Sequence, residues 1–137
     1  MTPMLAYQRG DQRQMNRLAS EDVAQAVEAG KRDLETNPND ADDAVLVYDG
    51  RINAQGEKLD AIIVELRAYF SLDSKVSLAV PYTPSSRGAF RVHKPKLLQW
   101  EACEDFDMNA VFRAFFQGVA KHEKGSAVWN AVLDESK

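Results

Sequence analysis

The sequence predicts an α+β protein built on a four-stranded antiparallel meander sheet, with one helix before the sheet and two helices after it. Two observations predict this class. In the middle of the chain, four apolar stretches alternate with short turn-forming segments, as in a sheet whose consecutive strands pair. The last third instead places aromatic and aliphatic residues at helical spacing, which predicts a long aromatic helix packed on one sheet face.

The first helix and the strands each have a local sequence signal. Ser20 resembles an N-cap, and the segment Asn37-Pro38-Asn39 is expected to end the helix because proline disfavours helix before it. Turn signals occur at Asp49-Gly50 and at Ala54-Gln55-Gly56. The predicted strands cover residues 44–48, 58–70, 76–82 and 89–93.

The C-terminal third predicts two helices. Asp107 can cap a helix that runs to about His122, and its apolar positions repeat every three or four residues. Ser126 can cap a short final helix that carries Trp129. We expect residues 1–19 to form a partly ordered arm and residues 20–137 to form a single domain.

Size and composition fit an ordinary globular domain. The chain has 137 residues, of which 45% are hydrophobic and 28% are charged, and this length supports a core without staples. The net charge of −4 gives no overall attraction to nucleic acid or to an anionic membrane. The single cysteine, Cys103, cannot form an internal disulfide, and we expect a cytoplasmic protein of bacterial type.

Strand parity divides the sheet into two unequal faces. Beyond Asp60, the even-numbered residues of the 58–70 strand are all apolar and are expected to pack against the aromatic helix. The opposite face is expected to be open and to present Glu65, Arg67, Tyr69, Arg91 and His93. Such a mixed set is the best candidate site in the sequence, although a solvated sheet face with cross-strand ion pairs is the commoner explanation of such a set.

A basic segment lies next to this face. Residues 85–100 contain Arg87, Arg91, Lys94 and Lys96 and no acidic residue. Hydroxyl groups precede the segment, so it could hold a phosphate, a carboxylate or an acidic partner. It matches no glycine-rich phosphate loop, and charges on an edge strand that prevent edge-to-edge pairing are the structural alternative.

No pattern in the sequence indicates a metal or a cofactor. The acidic residues near Asp42 lack the spacing of a calcium-binding loop, and no nucleophile elbow G-x-S-x-G occurs. Neither a membrane span nor a signal peptide is expected, because charged residues interrupt every apolar stretch. We therefore expect no metal, no cofactor and no membrane partner.

The sequence predicts a non-catalytic binding or accessory module for an anionic peptide or protein partner. Its candidate ligand-binding residues are Arg67, Tyr69, Arg87, Arg91 and Lys94. The alternative is a small enzyme in which His93 acts as general acid or base and Glu65 orients it. A third alternative is a nucleic-acid binder, which requires the N-terminal arginines and the basic segment to form one positive surface. The first or fourth predicted strand could also pair with a second copy in a homodimer.

Overall fold

The computed structural model describes residues 2–69 and 74–101, together with residues 109, 113–114, 116–117, 121 and 123–134 of the C-terminal part. Within these residues the strands form a curled, eight-stranded mixed sheet. The strands are joined in the order β2-β1-β3-β4-β5-β6-β8, and β7 also pairs with β5. The elements, in chain order, are β1 (Met4–Arg9), β2 (Gln12–Arg17), α1 (Val23–Thr36), β3 (Asp43–Ala54), β4 (Glu57–Ala68), β5 (Ser74–Thr83), a 3-10 turn (Ser85–Arg87), β6 (Arg91–His93), β7 (Lys96–Glu101), α2 (Glu123–Val132) and β8 (Leu133–Asp134).

The predicted four-stranded meander with three helices is wrong, first of all at the N-terminus. The segment expected to be an arm forms the β1–β2 hairpin, and β1 pairs with β3. The hairpin turns at Gly10, whose φ of 57° suits a two-residue turn with glycine first. Its amide donates to the Asp42 carboxylate over 2.8 Å. All six residues of β2 are exposed. Because neither face is buried, apolar and polar residues do not alternate along β2, and the sequence gives no sign of a strand there.

The β3–β4 hairpin is the part of the sheet that the sequence predicts best. Its turn lies at Gln55 and Gly56, whose φ angles of 53° and 79° are both positive, as a two-residue turn of this type requires. The predicted turn at Asp49-Gly50 is wrong, because both residues lie inside β3. There Gly50 pairs with Ala61, and the ladder continues without a break.

Two further strands extend the sheet beyond the prediction. β7 pairs with the first half of β5, with a register irregularity between Ser77 and Leu78. β8 pairs with β6 and is parallel to it. Most of the predicted 107–122 helix lies outside the described residues, although 109, 113–114, 116–117 and 121 are helical. The ring of Phe116 lies 6.3 Å from that of Trp129 on α2.

Helix α1 lies against the sheet and is capped at both ends. At its start, the Asp22 side chain accepts a hydrogen bond from the amide of Gln25. The predicted end is confirmed: Asn37 is the C-cap, with a φ of 48° that asparagine tolerates better than most residues. The helix contributes Leu34 to a buried cluster with Leu5, Ala44 and Leu46.

The helix packs on the sheet face that we expected to be open. Leu46, the main contact of α1 on β3, pairs with Glu65 on β4, so both side chains share one face. Arg67 shares this face, and it bonds to Glu35 of α1. Helix α1 therefore packs against the face of β4 that carries Glu65 and Arg67, and the prediction that this face is open is wrong.

Candidate functional site

Two of the candidate ligand-binding residues hold α1 on the sheet. The Arg67 guanidinium forms a hydrogen-bonded ion pair with Glu35, and Lys75 lies 3.6 Å from the same carboxylate. The pKa of Glu35 is lowered chiefly by its hydrogen bond to Arg67 and then by the Arg67 charge. The Tyr69 hydroxyl donates to the Leu34 carbonyl over 2.6 Å. Both Arg67 and Tyr69 thus have structural partners within the fold.

Glu65 is also engaged under the helix. Its carboxylate accepts a hydrogen bond from the Tyr48 hydroxyl over 2.7 Å. Burial first, and then this bond to Glu65, raise the pKa of Tyr48 well above its ordinary value. The ammonium group of Lys31 on α1 lies 5.4 Å from the centre of the Tyr48 ring, within the range of a cation–π contact. Glu65 therefore accepts a hydrogen bond from a neutral phenol.

His93 is almost wholly buried, at 1% exposure. One ring nitrogen, Nε2, lies 3.1 Å from the Thr83 hydroxyl, and Nδ1 lies 3.2 Å from the backbone oxygen of Asp134. The Asp134 carboxylate is 3.9 Å from Nδ1. The buried imidazole of β6 thus forms hydrogen bonds to both β5 and β8.

The structure does not bring Glu65 and His93 together. Glu65 pairs with Ser77 on β5, whereas the β5–β6 register, continued by one residue, places His93 opposite Pro81. Four residues of strand separate Ser77 from Pro81, which is about 13 Å along β5. The acid–base pair of the enzymatic alternative requires a direct or water-bridged hydrogen bond, and this register does not provide one.

The basic segment is arranged differently, because its cations face solvent. Arg87, Arg91 and Lys94 are exposed. Within the described ranges, none of the three lies within salt-bridge distance of a carboxylate. Other cations on the sheet are paired, such as Arg51 with Asp60 at 3.3 Å. We call Arg87, Arg91 and Lys94, together with the aromatic residue between them, Phe90, the basic patch.

Phe90 is the apolar member of the basic patch. It is 41% exposed, and its ring centre lies 6.1 Å from that of Tyr82 on β5. The Tyr82 hydroxyl is fixed by the Asp49 carboxylate, at 2.9 and 3.0 Å from its two oxygens. Burial, followed by this bond, raises the pKa of Tyr82 to about 12. Tyr82 is therefore a neutral, hydrogen-bonded phenol whose ring lies beside the exposed ring of Phe90.

Sequence reasoning missed Phe90 and Tyr82 as parts of the candidate site. It treated the even-numbered residues of the third and fourth predicted strands as core, which hid the aromatic pair at the end of the sheet. The available signal was their position: Tyr82 and Phe90 flank the loop at 83–88, where strands end and burial is incomplete.

The N-terminal arginines and the basic patch occupy separate regions of the sheet. Arg13 and Arg17 lie on β2, while Arg91 lies on β6, five places further along the strand order. This corresponds to about 24 Å measured along the sheet. A nucleic-acid interface of the kind considered above requires one continuous positive surface, and this strand order does not supply it.

The described part of the chain offers few features that would support another type of site. No group of three or more His, Cys, Asp or Glu side chains there could hold a metal ion. An open groove of about 490 Å³ runs along the outer side of α1 and is lined by Ala24, Gln25, Glu28 and Arg32. Among the helices of the described residues, none is long and apolar enough to cross a bilayer.

Comparison with known proteins gives no assignment: no family model, no curated protein and no solved structure matches the chain. A function for this chain is therefore inferred from the basic patch.

Proposed function

We propose that this protein is a non-catalytic binding module whose basic patch binds an anionic peptide or protein partner. The observation that carries the proposal is that Arg87, Arg91, Lys94 and Phe90, which lie within eight residues of one another in the chain, are all exposed, and that the three cations have no salt-bridge partner among the described carboxylates. The chain as a whole has a charge of −4, so this local concentration of positive charge is not a consequence of overall composition.

The chemistry of the basic patch suits a protein partner. Arginine and aromatic residues are enriched where protein interfaces gain most of their binding energy. Guanidinium groups can bind carboxylates through two parallel hydrogen bonds, and Phe90 offers an apolar contact between the charges. The fixed Tyr82 ring lies beside Phe90 and reduces the conformational freedom that Phe90 would lose on binding.

The proposed surface is smaller than the one that the sequence predicts. Arg67 and Tyr69 have partners on α1, so we leave them out of the surface. We propose that the binding takes place in the cytoplasm, because the single cysteine suits a reducing compartment.

The proposal is tested with a defined acidic probe. A fluorescein-labelled peptide of glutamates with one central leucine is titrated with the protein, and fluorescence anisotropy reports binding. Arg91→Ala and Phe90→Ala should each weaken binding by roughly tenfold, as central interface residues do. Raising the salt concentration from about 0.05 M to about 0.5 M should weaken it further, because salt screens exposed charges.

Arg13→Ala is the matched control, because it removes an exposed arginine from β2, far from the basic patch. It should leave peptide affinity unchanged. Binding that ignores salt and Arg91→Ala would remove the basis of the proposal. Binding of a single-stranded oligonucleotide that depends equally on Arg13 and Arg91 would support the nucleic-acid alternative instead.

A further inference from the structure

The outer strand of the N-terminal hairpin, β2, has an unusual position in the sheet. It lies at the end of the strand order and pairs with β1, and the described residues supply no other partner for it. All six of its residues are exposed, including Met15 at 61%. Such a strand forms hydrogen bonds with one neighbour and buries no side chain. It therefore gains little stabilising free energy to offset the backbone entropy that it loses on folding.

The free backbone groups of β2 are those of its odd-numbered residues. The amide of Leu18 donates to the Pro3 carbonyl over 2.8 Å, so this pair of residues faces inward. Because inward and outward groups alternate along an antiparallel strand, Gln12, Gln14 and Asn16 also face β1. The outward groups therefore belong to Arg13, Met15 and Arg17.

The register of this edge is fixed by contacts around the hairpin. Gly10 donates to the Asp42 carboxylate over 2.8 Å, and the Gln8 side chain donates to the Gly10 carbonyl over 3.1 Å. The Tyr7 hydroxyl also bonds to the Gln14 side chain. These contacts hold β2 in one register on β1, so the same outward groups are presented in every copy.

We propose that β2 pairs antiparallel with β2 of a second copy of this chain, around a two-fold axis that passes through Gln14. Only the odd-numbered residues of β2 have outward-facing backbone groups. Two copies can therefore form a ladder only around an axis that places odd-numbered residues opposite odd-numbered residues. An axis at Met15 would oppose Arg13 to Arg17 twice, and an axis at Arg13 would oppose two copies of Arg13. Like charges directly opposite each other destabilise a ladder, so these two axes are disfavoured. Axes at Gln12 or Asn16 also satisfy the alternation, but they pair fewer residues of β2 with its copy.

The axis at Gln14 gives a complementary pairing along the whole strand. Arg17 lies opposite Asp11 of the second copy at both ends; Asp11 is the hairpin-turn residue just before β2, and the two residues have opposite charges. Neither forms a salt bridge with a described residue within its own chain. Arg13 lies opposite Met15, whose side chain can pack along the arginine stem. The remaining opposed pairs are polar amides: Gln12 with Asn16, and Gln14 with Gln14.

The size of the interface determines the expected strength. Two six-residue strands bury less surface than the roughly 1,200 Å² of a standard stable interface. The association should therefore be weak and reversible. The dimer would join two eight-stranded sheets edge to edge and leave both basic patches at its outer ends.

Sedimentation velocity over about 1 μM to about 1 mM, the range in which weak interfaces dissociate, tests the proposal. The mass should rise from 15.3 kDa toward twice that value. Arg17→Glu places two acids opposite each other and should raise the dissociation constant by about tenfold or more. Asp11→Lys should do the same, and the double variant Asp11→Lys/Arg17→Glu should restore association because the pairs are exchanged.

Two further variants separate the ladder from general charge effects. Lys58→Glu makes the same charge change as Arg17→Glu at an exposed position of the β3–β4 hairpin, and it should leave the association unchanged. Met15→Pro removes an outward amide but no bond to β1, and it should abolish pairing while the circular dichroism spectrum is retained. A monomer at every concentration, or a dimer that is indifferent to Arg17→Glu, would overturn the proposal. So would a double variant that fails to restore association.

Discussion

The hydroxyl of Tyr69, one residue beyond β4, donates a hydrogen bond to the backbone carbonyl of Leu34 in the last turn of α1, over 2.6 Å. The last four carbonyls of a helix have no partner within the helix. The Asp33 carbonyl accepts from the Asn37 amide, and Tyr69 supplies a donor for the next one. A side chain just beyond β4 thus satisfies a carbonyl that the helix leaves open and links the end of α1 to the sheet.

Tyr69→Phe tests this link. Removing the hydroxyl leaves the Leu34 carbonyl without this donor in a part-buried position, so the free energy of unfolding should fall by about 1–2 kcal/mol. Urea denaturation measures the loss. Tyr7→Phe is the matched control, because its hydroxyl bonds to Gln14 in an exposed position and its removal should cost less than about 0.5 kcal/mol. Equal losses in the two variants would contradict the role assigned to Tyr69.

Gly30 marks the closest approach of α1 to the sheet. A Cβ atom at this position would lie 2.6 Å from one methyl carbon of Leu46 and 3.0 Å from one of Leu18. Leu46 is fully buried and has little room to move. Gly30→Ala should therefore destabilise the protein by about 1–3 kcal/mol through overpacking, despite the better helix propensity of alanine.

The size of the propensity effect in α1 can be measured separately. Ala24→Gly changes an exposed position of the same helix and should cost about 1 kcal/mol through propensity alone. Thermal unfolding of both variants gives the comparison. If Gly30→Ala raised the melting temperature, alanine would fit where the structure shows contact, and the packing of α1 on Leu46 would have to be looser.

The ion pair between Glu35 and Arg67 predicts a pH dependence of folding. Since the pKa of Glu35 is lowered in the fold, its contribution is present above the unfolded value of 4.5 and is lost as the pH falls through the folded value. The Glu35 side chain is 57% exposed, so solvent screening limits the contribution to less than about 1 kcal/mol.

Urea denaturation of the wild type and of Glu35→Gln between about pH 2.5 and about pH 6 measures this contribution. The wild type should be the more stable protein near pH 6, and the difference should disappear at the acid end. Repeating the pH 6 measurement in about 1 M salt should reduce the difference, because the pair is partly exposed. A difference that stays constant with pH would show that Glu35 acts through packing rather than through its charge.

The parts of the fold that the sequence predicts correctly are those with strong local signals. Gln55 and Gly56 make the turn expected of them, and Asn37 ends α1, because each conformation is favoured by those residues themselves. Asp49-Gly50 has a similar turn signal but lies within β3. There the long pairing of β3 with β4 outweighs the local preference.

The rest depends on contacts between distant segments. β2 is exposed on both faces, so its sequence carries no periodicity, and its strand geometry comes from pairing with β1. The polar residues of β4 resemble a solvated face by parity alone. Only the position of Glu35 shows that Arg67 faces a helix. For the same reason, the exposure of Phe90 depends on where β5 ends and could not be read from its apolar character.

The buried imidazole of His93 provides the last prediction. The Asp134 backbone oxygen can only accept a hydrogen bond, so Nδ1 of His93 donates to it, and Nε2 forms a hydrogen bond with the Thr83 hydroxyl. Thr83→Val keeps a similar shape but removes the hydroxyl and leaves a buried ring nitrogen without this hydrogen bond. The free energy of unfolding should fall by about 1–3 kcal/mol.

The effect should also be local, because β8 is a two-residue strand that pairs with β6 and accepts the His93 hydrogen bond at its backbone. Hydrogen exchange at Val92 and Leu133 should accelerate in Thr83→Val more than exchange in the β3–β4 ladder. Thr36→Val is the matched control, since its exposed hydroxyl bonds only to the Arg32 carbonyl at the end of α1, and its loss should stay within about 0.5 kcal/mol. If the two valine variants were equally stable, Thr83 could not be the group that satisfies the ring, and β8 would have to be retained by other contacts.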